Sequence, residues 1–148
     1  MQRSSVKKGL ALIIANADYQ SQPQLPSCHK DGTDMKAKLE QLNFDVLYYT
    51  NTTRKTILEA ISEFIKLADC YSVLLVYYTG HGVQIDGENY FVPIDCIYHP
   101  VKSVFIASSL VGVNTITQYM NEHEEKTNIF FHYKSTQNET LSIFLAFY

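Results

Sequence analysis

The chain has 148 residues, is 46% apolar, has no tryptophan, and carries a formal net charge of −3. That is enough chain for one domain with a real core, and the slight acidity gives no electrostatic basis for binding nucleic acid or an anionic membrane. No apolar run approaches the roughly 18 residues of a membrane span. The three cysteines, Cys28, Cys70 and Cys96, form no CxxC pair or disulfide framework, which suits a reducing, cytoplasmic setting.

The first apolar run, Gly9-Leu10-Ala11-Leu12-Ile13-Ile14-Ala15, is continuous and reads as a central strand buried on both faces. Residues 20–30 hold Pro23 and Pro26 and read as a loop. A short amphipathic helix is expected to open at Asp31-Gly32-Thr33-Asp34, with Met35, Leu39 and Leu42 on one face and its acids at the positive end of the dipole. Asn43 closes it, and residues 44–49 form a second strand. Asn51-Thr52-Thr53 can cap a second helix, which lines up Ile57, Ala60, Ile61, Phe64, Ile65 and Ala68. Cys70 closes that helix and is expected in the core. A third strand spans about 72–78. Residues 83–85 and 90–92 then read as a hairpin with a four-residue turn. Residues 95–108 look irregular, 112–122 helical, and 127–131 a fourth strand. Strands alternating with helices imply right-handed crossovers and a mostly parallel sheet covered on both sides.

Tyr77-Tyr78-Thr79-Gly80-His81-Gly82 is the most informative stretch. It follows a buried strand, and in open α/β sheets the carboxyl ends of strands are where ligands bind. The glycines permit a sharp change of direction. An imidazole at such a place suits general-base chemistry near neutral pH. A cysteine peptidase would set a thiol within hydrogen-bond reach of it.

Five segments in order resemble the large (p20-type) subunit region of the caspase-like cysteine peptidases, nearest to the paracaspases and metacaspases. Residues 10–19 resemble the family's opening strand, and Leu25-Pro26-Ser27-Cys28-His29-Lys30-Asp31 the segment with an S1-pocket aspartate. Residues 39–46 resemble the helix-to-strand junction, 77–82 the catalytic-histidine motif, and Tyr90-Phe91-Val92-Pro93-Ile94-Asp95 the strand after it. The resemblance implies a three-layer α-β-α caspase-like fold, C-terminally incomplete, with a p20 catalytic domain over residues 8–131 and a divergent apolar tail over 132–148. It implies endopeptidase chemistry by a Cys-His dyad through an acyl-enzyme, with His81 as the base and backbone amides near Gly82 on the oxyanion. Asp31 would line the substrate pocket and favour Lys or Arg at P1; Asp34 is the competing acid. The implied partners are protein substrates with a basic P1 residue and a homo- or heterodimer with a caspase-like relative. No cofactor is implied except calcium, which metacaspases often need and for which no EF-hand loop or acidic cage is evident.

The family's nucleophile follows the fourth strand in a segment ending Asp-x-Cys. Here Tyr133 stands at the aspartate position and Ser135 at the cysteine position. A serine hydroxyl is far less ionised than a thiol at neutral pH, and a site tuned for thiolate does not by itself activate it. The chain is therefore expected to have little or no peptidase activity. A truncated or mis-spliced product would account for the tail and leave an edge strand uncovered. A catalytically dead module that regulates an active relative is the alternative. Cys28 reads as a buried spectator and Cys96 has no assigned role. His29 and His99 lack metal-ligand spacing.

Overall fold

A computed structural model of the protein describes residues 6–134 and 146–147, with side chains as far as Ile129. Its middle layer starts from β1 (Gly9–Ala15), whose seven residues are all buried because layers lie on both faces. β2 (Phe44–Thr50) pairs parallel to one side of β1 and β3 (Val73–Gly80) parallel to the other. β9 (Thr127–Lys134) runs parallel to β3, and β10 (Ala146–Phe147) pairs antiparallel with β9. The strand order is β10-β9-β3-β1-β2. The fourth strand thus runs on past Phe131 through His132, Tyr133 and Lys134. The tail does not leave its outer edge bare, since Ala146 and Phe147 pair with Phe130 and Ile129.

On one face lies α1 (Ser27–Gln41), whose Leu39 and Met35 pack with Ala11, Ile13 and Leu75. It starts four residues before the acidic cluster that marks its expected origin. Pro26 occupies the N-cap with φ −56°, so its ring is pre-set for the first turn and starts the helix at once. Asp31 therefore sits in the second turn. The helix lies tight on the sheet at Gly32, where an added Cβ would stand 2.7 Å from the Ala15 Cβ. Asn43 adopts the left-handed conformation (φ 66°) that ends many helices.

On the other face, α2 (Arg54–Ala68) and α3 (Asn114–Glu122) cover Leu10, Leu12, Ile14, Leu74 and Val76 with Ile57, Ile61, Phe64, Ile116 and Met120. Thr53 is the residue that caps α2, accepting the Thr56 N–H at 3.3 Å. Asn51 instead turns its Oδ1 to the N–H groups of Ala17 and Asp18. Cys70 is exposed rather than in the core, because it lies in the turn after α2 has ended. No helix among the described residues is long and apolar enough to cross a membrane.

Between β3 and α3 the chain forms a small second sheet. β4 (Gly82–Ile85) and β5 (Glu88–Phe91) make a hairpin, joined on the far side by β8 (Val111–Gly112). The hairpin turn has two residues, not four: Asp86 (φ 50°) and Gly87 (φ 82°), the Asp-Gly pair that suits a type I′ turn. The stretch expected to be irregular contains a minimal hairpin of β6 (Tyr98–His99) and β7 (Val104–Phe105), then a short 3₁₀ turn at Ala107–Ser109.

Candidate active site

His81 is the single residue between β3, which ends at Gly80, and β4, which begins at Gly82. Here the chain leaves the central sheet for the small one, so the His81 peptide belongs to neither ladder. Gly80 makes the change of direction with φ +156°; Gly82 needs no positive φ. The His81 N–H donates to the Tyr19 hydroxyl at 2.8 Å, and that hydroxyl donates to the Val92 carbonyl at 2.9 Å. Val92 N–H donates back to the His81 carbonyl at 3.1 Å. The same carbonyl accepts the Tyr78 hydroxyl at 2.6 Å. His81 and Val92 therefore form an antiparallel rung in which one of the two bonds is direct and the other passes through Tyr19. Antiparallel pairs alternate, so the next pair, Gly82 with Phe91, is the kind whose N–H groups point outward. The Gly82 N–H thus faces away from β5.

The imidazole is packed, with the whole residue only 9% exposed. The Tyr19 ring meets it edge-on at 4.5 Å. Its Nε2 lies 2.7 Å from the Pro23 carbonyl oxygen. A carbonyl can only accept, so Nε2 carries the proton and the neutral ring holds its basic lone pair on Nδ1. The loop that supplies Pro23 is itself pinned. Leu25 N–H donates to Ala17 O at 2.9 Å, Gln20 N–H to Ile94 O at 3.1 Å, and Ser21 Oγ to Cys96 O at 3.0 Å.

Asp31 is half-buried on α1. Cys28, nearly one turn earlier, is buried and accepts the Thr79 hydroxyl at 3.2 Å, which brings the start of α1 against β3 two residues before His81. Burial pushes the Cys28 thiol up, its bond from Thr79 pulls it down, and the charge of Asp31 adds to the rise. Cys96 is also buried, is raised for the same first reason, and lies 3.6 Å from Ser21 Oγ. Both are thiols in the inert form. Asp34 is exposed and ion-paired with Lys30 on the surface. His29 lies 3.2 Å from Asp18.

Ser135 lies outside the described residues. The last pair of the β3–β9 ladder, Gly80 with Lys134, ends one residue short of His81 on one strand and of Ser135 on the other. Tyr19 and Pro23 are the site residues that sequence reasoning missed. Their only mark was a loop that carries two prolines.

The tyrosines give the fold a pH signature. Tyr19 and Tyr78 are raised by burial, Tyr49 and Tyr71 are pushed up to about 12 by hydrogen bonds to Glu63 and Asp45, and Tyr119 is raised by burial beside Asp69. A phenol raised on folding holds its proton more tightly in the native state. Its contribution is complete below the unfolded value of about 10 and is lost as pH climbs from there towards the folded value. The melting temperature is expected to decline gently above about pH 8.5, where the raised thiols of Cys28 and Cys96 begin to count, and to fall steeply above about 10; Tyr71→Phe should make the steep part shallower.

A family model of the caspase domain, of peptidase family C14, matches residues 8–135. The human mucosa-associated lymphoid tissue lymphoma translocation protein 1 is 32% identical over 124 residues, which is 84% of this chain and 14% of that protein. Its mouse homolog matches with the same identity and coverage. This chain thus spans about one seventh of the length of these relatives. The crystal structure of the Drosophila initiator caspase Dronc superposes with a TM-score of 0.62 at 14% identity, over 95% of this chain and 54% of that one, and shares the fold. By the match of the family model over residues 8–135, its 32% identity to these relatives and its three-layer fold, this chain belongs to the caspase-domain family of peptidases.

Proposed function

We propose that the chain is a caspase-like endopeptidase domain that retains the base of a Cys-His dyad and a pocket for a basic P1 residue but lacks the nucleophile. The observation that carries this reading is the orientation of His81 at the end of β3, with Nε2 donating to the Pro23 carbonyl at 2.7 Å. An imidazole fixed in that tautomer has the proton where the loop needs it and the base on the other nitrogen. In the intact chemistry, Nδ1 takes the proton of a thiol, the thiolate attacks the scissile carbonyl, and the outward Gly82 N–H contributes to the oxyanion site. Asp31 pairs with the Lys or Arg side chain at P1, a charge-assisted contact that an acidic P1 residue would turn into repulsion. With serine at position 135 the first proton transfer starts from a far weaker acid, so acylation stalls there.

The test is a fluorogenic peptide with Arg or Lys at P1, offered to the purified chain. No hydrolysis above buffer is expected. Hydrolysis that His81→Ala abolishes would show that the dyad has a working nucleophile after all.

A further inference from the structure

Resting on the reading of His81 as the base, we propose that Tyr19 is a positioning residue for it, with its hydroxyl spliced into the backbone rung that carries the imidazole and Tyr78 as the second half of the same bracket. The need for such a device follows from the topology. β3 is laddered to β1 as far as Thr79 and to β9 as far as Gly80, while β4 is laddered to β5 from Gly82. The His81 peptide falls in the gap between the two sheets, in the buried interior. A buried N–H left unsatisfied there would cost as much as a lost hydrogen bond. The Tyr19 hydroxyl accepts it and hands its own proton to Val92. Tyr78 closes the opposite end by donating to the His81 carbonyl, and the two hydroxyls lie 3.4 Å apart.

Filling space does not explain this arrangement. A buried phenol needs one partner, and Tyr19 could satisfy itself on Val92 alone. Instead it joins His81 and Val92 and leans its ring on the imidazole at 4.5 Å. Tyr19 also sits four residues before Pro23 in a single loop. That loop therefore holds His81 at two points, the backbone N–H through Tyr19 and Nε2 through Pro23. The imidazole has two torsions, and with its peptide, its ring edge and one nitrogen held, neither can drift. Removing the Tyr19 hydroxyl releases the peptide. The Nε2–Pro23 bond then competes with water and the two neutral tautomers mix.

The experiment is long-range proton–nitrogen correlation of the histidine rings in the full chain, with His81 assigned by His81→Gln. The wild type should show Nε2 protonated and Nδ1 unprotonated. In Tyr19→Phe, which keeps the ring, the ratio of Nε2–H to Nδ1–H should fall about fivefold, the worth of one ordinary hydrogen bond. Leu39→Ala, a change in a core cluster that contains neither Tyr19 nor Tyr78, should lower the melting temperature without moving the ratio. A Tyr19→Phe protein with the wild-type ratio overturns the proposal, whatever its stability. If Tyr19→Phe does not fold, Tyr78→Phe is read in its place, and an unchanged ratio is equally fatal. A wild type that shows Nδ1–H instead would sink the underlying reading of His81 as an oriented base, a result separate from failure of the Tyr19 substitution.

Discussion

Gly80→Ala is expected to destabilise the fold by about 3 kcal/mol or more and to disorder the His81 turn, because an added methyl has no room and its neighbours cannot retreat. A Cβ at position 80 would stand 2.7 Å from the Tyr19 hydroxyl and 2.8 Å from the Tyr78 hydroxyl. Both rings are deeply buried, at 3% and 0% exposure, so neither oxygen can swing aside. Moving them breaks the bonds to His81 and Val92, each worth about 1 kcal/mol, on top of the overpacking itself. The backbone at φ +156° adds strain for any side chain. Two other glycines calibrate the result. Gly87 has φ +82° but open space around it, so its alanine variant should show only backbone strain, about 1 kcal/mol. Gly112 meets nothing nearer than 3.9 Å and should tolerate alanine with little change. Urea unfolding of the three variants gives the comparison. A Gly80→Ala protein as stable as Gly112→Ala would mean that the hydroxyl bracket is not packed as described.

Much of this architecture was legible because it rests on burial. The runs from Gly9 and from Val73 are continuous and apolar since both faces of a central parallel strand are covered, and the one-sided pattern from Ile57 to Ala68 reports a helix lying on such a sheet. The boundaries were harder. α1 opens at Ser27 because Pro26 is tolerated at a helix start, whereas the acidic cluster from Asp31 gave a stronger but later signal. β9 continues through His132, Tyr133 and Lys134, residues with no apolar pattern, because β3 continues to Gly80 and offers a parallel partner throughout. Cys70 looked like core from its type alone, and the end of α2 two residues earlier leaves it outside. The candidate site divides in the same way. His81 and Asp31 lie in motifs whose residue types carry chemistry. Pro23 acts through a carbonyl, which every residue has, and Tyr19 acts through a hydroxyl whose partner is a peptide 62 positions away. Neither role leaves a mark on sequence spacing.

The second large effect is a gain of reactivity. Under the proposed reading, in which position 135 is that of the missing nucleophile, His81 should activate a thiol placed there, even where substrate binding is weak. An ordinary thiol titrates near 8.5, and beside an imidazolium it drops to about 6, which at pH 6 raises the thiolate fraction roughly a hundredfold. A more acidic thiol is also a weaker nucleophile, which returns about a factor of ten. The net expectation for Ser135→Cys is alkylation by iodoacetamide at pH 6 about tenfold faster than Cys70, the exposed native thiol. Cys28 and Cys96 are buried with raised pKa and should lag behind both. The most direct measurement is the pH profile of that alkylation in Ser135→Cys, followed by mass spectrometry, against the same profile in Ser135→Cys with His81→Ala. The account predicts a rate that is half-maximal at about pH 6 with His81 present, and only at about 8.5 without it. Identical profiles in the two proteins would show that His81 does not face position 135.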